Sequence, residues 1–354
     1  MVQNMKKVFV AMSGGVDSSV AAYLLKKQGY QVTGVFMRNW SDPLSNYCPW
    51  KKDIKDFKQV CKVLKIPTRI EIFEEEYRKK VVHYLISGYK RGITPNPDML
   101  CNSEIKFKVF LNKARGLGAD YIATGHYVVN KINKQGIYNL YISKDKNKDQ
   151  SYFLALLNQK QLKCSLFPVG IYTKAQVRKI AEKAQLSVYN KKDSQGICFI
   201  GKIKFKDFIR QFIKGKQGLI MDSSKRVIGH HDGLAFYTIG QRHGLGIGGG
   251  APYYVADKDY NKNILIVAKG RMNKLLYCKK INIKKISWIS GRINKLPLTC
   301  RARIRYRQKL NNCIIKKAKK GYLVEFNKGV KAVTPGQFIV FYNKDVLLGG
   351  GVIE

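Results

Sequence analysis

At 354 residues the chain is long for one domain and points to two or three, and its 45% hydrophobic content is ordinary for a globular protein. No stretch approaches the roughly eighteen apolar residues of a membrane helix. The apolar run Val8–Met12 is too short for a signal-peptide core, so a cytoplasmic protein with no membrane partner is expected. Lysine and arginine number 66 against 23 acids, a net charge of +43; part of that reflects the lysine-rich usage of an AT-rich coding sequence, and the rest implies an anionic polymer as partner.

The first half alternates strand and helix patterns. Lys7–Met12 reads as a buried strand and Asp17–Gln28 as a helix stopped by Gly29. Val32–Met37 reads as a strand, Asp53–Leu64 as a helix, Thr68–Phe73 as a strand and Glu75–Tyr89 as a helix. Asp98–Ala114 follows as a helix and Tyr121–Thr124 as a strand. This order predicts an α/β fold, a doubly wound parallel sheet with helices on both faces. After residue 200 comes one more helix, Lys206–Ile213, and then a glycine-rich stretch. From residue 275 six short strands are expected: Ile281–Ile289, Thr299–Arg307, Cys313–Lys317, Tyr322–Phe326, Gln337–Tyr342 and Val346–Ile353. They suggest a small β-barrel. The expected division is 1–200, a nucleotide-binding catalytic domain; 201–274, a small central domain; and 275–354, a basic barrel.

Between the first strand and helix lies Ser13-Gly14-Gly15-Val16-Asp17-Ser18-Ser19. Glycines let backbone N–H groups approach an oxyanion, the serines add hydroxyl donors, and the helix start adds about half a positive charge. No lysine stands where a Walker A loop needs one, and the spacing is not that of a dinucleotide fingerprint. The Gly244–Gly250 run precedes a strand pattern at Pro252–Ala256 and reads as a turn.

Eight cysteines include no C-x-x-C pair, so neither a zinc site nor an iron–sulfur cluster is expected. Two stand out. Cys101 follows Asn96-Pro97-Asp98 at a helix start. With Asp98 as N-cap it is the third helical residue, where the helix dipole acidifies a thiol. Cys198 lies in Asp193-Ser194-Gln195-Gly196-Ile197-Cys198-Phe199-Ile200, flanked by apolar residues. Taken singly, Cys101 reads equally as a core cysteine, and for Cys198 the core is the plainer reading.

The loop S-G-G-x-D-S-S resembles the PP-loop of ATP pyrophosphatases, which cleave ATP between the α and β phosphates. With Asn96-Pro97-Asp98, Cys101-Asn102, Thr124-Gly125-His126-Tyr127, Lys148–Leu154, Ser194–Ile200 and Tyr237–Arg242, the whole chain resembles the tRNA-specific 2-thiouridylases, bacterial and mitochondrial. The resemblance implies that Ala11, Met12, Ser13, Gly14, Gly15, Val16, Asp17, Ser18, Met37 and Gly125 bind ATP. It implies magnesium with the nucleotide, on ligands the sequence does not assign. Asn96, Pro97 and Asp98 would surround the target base, with Asp98 as acid/base. Cys198 would carry a persulfide from an upstream sulfur carrier, and Cys101 would resolve it through a transient Cys101–Cys198 disulfide. The implied target is the wobble uridine of tRNAs for lysine, glutamate and glutamine, and a monomer is expected.

Arg301, Arg303, Arg305 and Arg307 alternate with Ala302, Ile304 and Tyr306. In a strand they would line one face about 7 Å apart, a spacing that suits phosphates; a solvated face is the plain alternative. By the resemblance, Arg305, Tyr306 and Gln337 touch tRNA from the barrel, and His126, Lys148, Asp149 and Gln150 from the first domain. A satisfied polar residue is the lesser alternative for His126. Trp40, Tyr47 and Trp50 offer stacking surfaces, with core packing the plainer use. Another PP-loop enzyme, making 4-thiouridine or lysidine, and a non-enzymatic RNA-binding protein are the competing readings.

Overall fold

The computed structural model describes residues 5–41, 50–192, 205–248 and 250–354. Its first sheet is parallel, in the order β3-β2-β1-β4-β7, built from β1 (Lys7–Ala11), β2 (Gln31–Arg38), β3 (Thr68–Ile72), β4 (Tyr121–Thr124) and β7 (Ser165–Leu166). β1 is central, and apolar from Val8 to Ala11 because both its faces are covered there. Val8 and Val10 point into one core with Val20, Leu25, Phe57 and Val60; Phe9 and Ala11 point into the other with Val35, Met99 and Cys101. The first core packs under helices α1 (Val16–Lys27) and α2 (Trp50–Leu64). The second packs under the helices spanning 74–90 and 97–116.

Both of those longer helices contain a π-helical stretch, Arg78–Val82 in the first and Cys101–Phe110 in the second. Widening a helix to i→i+5 bonding leaves carbonyls looking for donors. Gln161 supplies them in the second case. Its Nε2 donates to the carbonyls of Ser103 at 3.1 Å and Phe107 at 2.9 Å, while its Oε1 accepts from the N–H of Asn158 in a capping box. The pattern of apolar residues identified the helix but carried no sign of the wider winding, which a polar residue fifty positions away stabilises.

A hairpin, β5 (Val128–Ile132) and β6 (Tyr138–Ile142), leaves the first sheet and was not foreseen from the sequence. β8 (Gly218–Met221), β9 (Val227–His231), β10 (Tyr253–Asp259) and β11 (Ile264–Lys269) form a small central sheet in the order β10-β11-β8-β9. The last six strands are β12 (Tyr277–Trp288), β13 (Leu298–Arg303), β14 (Asn311–Lys317), β15 (Tyr322–Lys331), β16 (Phe338–Asn343) and β17 (Val346–Ile353). They run β12-β15-β14-β13-β16-β17, and β12 pairs back onto β17 to close an antiparallel barrel around Ile283, Ala302, Ile315, Val324 and Phe341. β6 adds to β17 through Tyr141↔Val346 and Leu140↔Leu347, so the hairpin of the first half is continuous with the barrel sheet.

Removing the amide of Gln161 strands two buried carbonyls, each costing about 1–3 kcal/mol. Gln161→Leu is expected to lower the unfolding free energy by at least that amount in guanidinium titrations. A loss below about 0.5 kcal/mol, the scatter of a neutral surface change, would show that the π-helix carbonyls are satisfied without it.

Candidate nucleotide and target-base site

β1 runs out at Ala11 between two parallel neighbours, so the loop that follows emerges at the carboxyl edge of the sheet, where open α/β sheets bind ligands. Gly14 takes φ +70°, and a Cβ there would stand 2.4 Å from the carbonyl oxygen of Asp53. Only glycine satisfies both constraints. Gly15 caps α1 without a side chain, and the hydroxyls of Ser18 and Ser19 donate to its carbonyl at 3.2 and 2.8 Å. The Oγ of Ser18 also accepts from the N–H of Ser13 at 3.3 Å. The loop is thus tied by its own serines, with its N–H groups and the α1 N-terminus as the anion-binding elements. Gly125, at the end of β4, lies where a Cβ would stand 2.6 Å from the N of Ser18, so β4 abuts the loop directly.

Two lysines absent from the sequence reading bracket this loop. Lys174 donates to both carboxylate oxygens of Asp17, at 2.7 and 2.9 Å, and Tyr127 donates to the same group at 2.7 Å. Lys191 donates to the carbonyl of Gly14 and to Asp53 and Asp56. Burial opposes its charge, but the hydrogen bonds it donates to the two carboxylates outweigh that and raise its pKa. Neither lysine sits inside a recognised motif, which is why only the fold reveals them. Among the described residues no cluster of three or more His, Cys, Asp or Glu side chains could hold a metal ion.

Asn96, not Asp98, is the N-cap of helix 97–116: its Oδ1 accepts from the N–H groups of Asp98 at 3.2 Å and Met99 at 3.4 Å, with Pro97 in the first turn. Asparagine before proline takes the extended backbone a cap needs. Cys101 is therefore a full turn inside the helix rather than its third residue, and the helix dipole acts on it less than expected. It is 2% exposed, in one core with Ala11, Val35 and, at the margin, Met37. Cys101 thus belongs to the same core as Ala11, the last residue of β1, and Val35 in β2. Burial raises the carboxyl pKa of Asp98. Cys198, Tyr47 and the rest of 193–200 lie outside the described residues.

The loop before Asn96 is held from both other parts of the chain. From the barrel, Gln337 donates to the carbonyl of Thr94 at 2.9 Å and accepts from Asn96 Nδ2 at 3.4 Å, and the carbonyl of Pro335 accepts from the N–H of Thr94. From the central sheet, Lys258 and Tyr260 both donate to the carbonyl of Gly92 at 3.1 Å. Burial lowers the pKa of Lys258 to about 8.

The arginine stripe is not a strand face. β13 ends at Arg303; the chain then turns, with the N–H of Gln308 bonded to the carbonyl of Arg305 and Arg307 at φ +63°. Arg303 is 8% exposed and pairs at 3.2 Å with Asp149, itself 3% exposed. Arg305 donates to the carbonyl of Ile239 and to Thr334 Oγ1, bridging barrel and central sheet. Tyr306 packs on Phe153 with ring centroids 4.6 Å apart. Gln150 accepts from the N–H of Tyr127. His126 is buried between Phe107 and Phe167, bonded to Thr124 Oγ1 at 2.8 Å, and burial drives its pKa well below the ordinary range. In this conformation Asp149, Arg303 and His126 are internal. Trp40 and Trp50 pack against the two cores. Beside the Asp149–Arg303 pair lies a cleft of about 710 Å³, lined in part by Lys146, Lys148, Arg301, Arg307 and Lys309.

Breaking a buried ion pair from one side costs about 3–5 kcal/mol, because it leaves an uncompensated charge. Arg303→Met is expected to destabilise by that amount in thermal or chemical unfolding, and Arg303→Met with Asp149→Leu by much less. Equal losses in the single and double variants would refute the pairing.

A family model described as the tRNA methyl transferase HUP domain matches residues 6–202, one described as the tRNA methyl transferase PRC-barrel domain matches 206–269, and one described as the aminomethyltransferase beta-barrel domain matches 278–353. Curated relatives match along almost the entire chain. The tRNA-specific 2-thiouridylase MnmA of Legionella pneumophila is 50% identical, over 98% of this chain and 98% of its own. That of Hydrogenovibrio crunogenus is 48% identical over 98% and 93%, and that of Francisella tularensis subsp. novicida 47% over 98% and 99%. Identity at this level across all three parts, with the phosphate loop, the Asn96–Cys101 helix start and the basic barrel in place, means that this chain belongs to the tRNA-specific 2-thiouridylase family.

Proposed function

We propose that the chain is an ATP-dependent tRNA-uridine 2-sulfurtransferase acting on the wobble uridine of tRNAs for lysine, glutamate and glutamine. What carries this reading is the 50% identity to a 2-thiouridylase along 98% of the chain, in a fold that has Cys101 in one core with Ala11, the last residue of β1. The uracil O2 is a poor leaving group. Its attack on the α-phosphate of ATP expels pyrophosphate and makes an adenylate, whose AMP then leaves readily. Backbone N–H groups of the loop and the start of α1 stabilise the departing pyrophosphate. Magnesium comes bound to the phosphates, the usual mode for a small cation that retains most of its waters.

The sulfur step uses two cysteines. The terminal sulfur of a persulfide on Cys198, delivered by an upstream carrier protein, attacks C2, and O2 leaves with AMP. The Cys101 thiolate then attacks the Cys198 sulfur, the S–S bond to the base breaks, and 2-thiouridine departs. The Cys101–Cys198 disulfide left behind is reopened by a thiol reductant. Burial raises the pKa of the Asp98 carboxyl above its ordinary value, the direction that favours a group meant to take up and release a proton. A uridine in a single-stranded loop swings into such a pocket at a cost of a few kcal/mol. The cleft of Lys146, Lys148 and Arg301 supplies phosphate contacts whose affinity falls with salt. The enzyme works as a cytoplasmic monomer, with residues 1–200 as catalytic unit and 275–354 as RNA-binding barrel. No helix among the described residues is long and apolar enough to cross a membrane.

RNA-dependent conversion of ATP to AMP and pyrophosphate is expected, with 2-thiouridine appearing in the digested tRNA when a persulfide donor is present. Cys198→Ser and Cys101→Ser should both abolish the thionucleoside while leaving pyrophosphate release. Full thiolation by Cys198→Ser would end the relay; 4-thiouridine or lysidine in its place would reassign the chemistry.

Asp98→Asn separates chemistry from stability. The folded carboxyl has a raised pKa, so its contribution to stability is complete below the unfolded value of roughly 4 and is lost as pH rises through the folded value. The variant is therefore expected to melt at or above the wild-type temperature at pH 7, with the gain fading on acidification, while thiolation falls by at least about a hundredfold. A lower melting temperature at pH 7 with unchanged turnover would remove Asp98 from the mechanism.

A further inference from the structure

The phosphate loop lies back to back with the first turn of α2, since the Cβ position of Gly14 is filled by the backbone of Asp53. Lys191 enters this seam from the segment that follows helix Lys174–Lys183. Its Nζ donates to the carbonyl of Gly14 at 2.9 Å, to Asp53 Oδ1 at 2.7 Å and to Asp56 Oδ2 at 2.5 Å. All three donors of the ammonium are thereby used. Lys191 is itself fixed from behind: Arg178, on that helix, donates to the carbonyls of Tyr189 at 2.7 Å and Lys191 at 2.9 Å.

The consequence follows from peptide geometry. The unit joining Gly14 to Gly15 is planar and trans, so its C=O and N–H point in opposite directions. A carbonyl drawn outward to Lys191 turns the Gly15 N–H inward, to the concave side of the loop where a phosphate would lie. Two successive glycines rotate freely, and without an anchor this peptide can flip. A charge-assisted bond, about twice as strong as a neutral one, is a suitable anchor. Asp53 and Asp56 balance the lysine charge, so Lys191 acts on the loop and not as a free cation on the nucleotide.

We propose that Lys191 is a positioning residue for ATP cleavage, which holds the Gly14–Gly15 peptide so that the Gly15 N–H faces the departing pyrophosphate. This rests on the reading of the loop as a nucleotide site. Removing one preorganised donor to a developing oxyanion typically costs 10²–10³ in kcat, and misorienting one costs on the order of tenfold to a hundredfold.

The test uses the full chain with tRNA, following RNA-dependent pyrophosphate release, equilibrium binding of labelled ATP, and melting temperature. Lys191→Met is expected to slow pyrophosphate release by about tenfold to a hundredfold, mostly in kcat, with a smaller rise in KM for ATP. Lys191→Arg, which keeps a charged donor, should return to within a few-fold of wild type. Should Lys191→Met not fold, Lys191→Gln gives the second measurement, with an intermediate kcat expected because it keeps a neutral donor. A variant that melts lower yet turns over ATP with unchanged kcat and KM when folded would overturn the proposal, as would an arginine variant no better than methionine. Failure of the underlying site reading looks different: the loop variants Ser18→Ala and Gly14→Val would then bind ATP as tightly as the wild-type protein.

Discussion

Arg303 and Asp149 face each other across the boundary between the parallel-sheet half and the barrel, and much of the architecture depends on their staying together. Both are almost wholly out of water. A charge in that position survives only with a partner and additional hydrogen bonds. Asp149 has them, from the hydroxyl and N–H of Ser151 and the N–H of Ser143, and the guanidinium of Arg303 lies over the ring of Tyr342 at 4.7 Å. Neighbouring contacts repeat the join: Ser151 with Tyr342 at 3.0 Å, and the Tyr152 hydroxyl donating to the carbonyl of Phe338 at 2.9 Å. The segment from Asp149 to Tyr152 is thus a plug seated in the barrel wall. The parallel-sheet half and the barrel keep a fixed relation because this plug cannot shift without exposing a lone charge.

The same join explains which parts of the molecule could be read in advance. The parallel sheet was legible because each strand carries its own evidence: apolar Val8–Ala11 for burial on both faces, Gly29 for the end of α1, the glycine and serine run for the turn between them. The barrel was legible from alternation and from turn residues at regular spacing. The N-cap of helix 97–116 was misplaced by two residues, since Asn96 and Asp98 are both good caps and proline between them decides for the first. The arginine series was misread for a different reason. Periodicity of two specifies a face only while the strand lasts, and β13 ends at Arg303, where the chain turns under the side chain of Gln308. No local feature distinguishes an arginine that will meet phosphate from one that will meet a buried aspartate 154 positions away.

Helix 97–116 shows how a site can be built from weak local preferences. Its first turn is capped by Asn96, its middle is wound as a π-helix from Cys101, and its entry loop is gripped by Gln337, Lys258 and Tyr260. Each of these acts on backbone groups, so the start of the helix that carries Cys101 is held by hydrogen bonds to main chain. Sequence reasoning finds the cysteine by its neighbours in the chain. It cannot find the barrel and central-sheet residues that aim it.

The hairpin β5–β6 completes its pairing only on β17, a strand made long after it. During synthesis the amino-terminal half therefore waits on the ribosome with one sheet margin bare, its N–H and C=O groups available to any passing strand. Nascent molecules of this kind should depend on chaperones until the barrel is finished. Splitting the gene between the two halves would expose that margin for good, and the separated fragments would be prone to stick to one another, or to themselves.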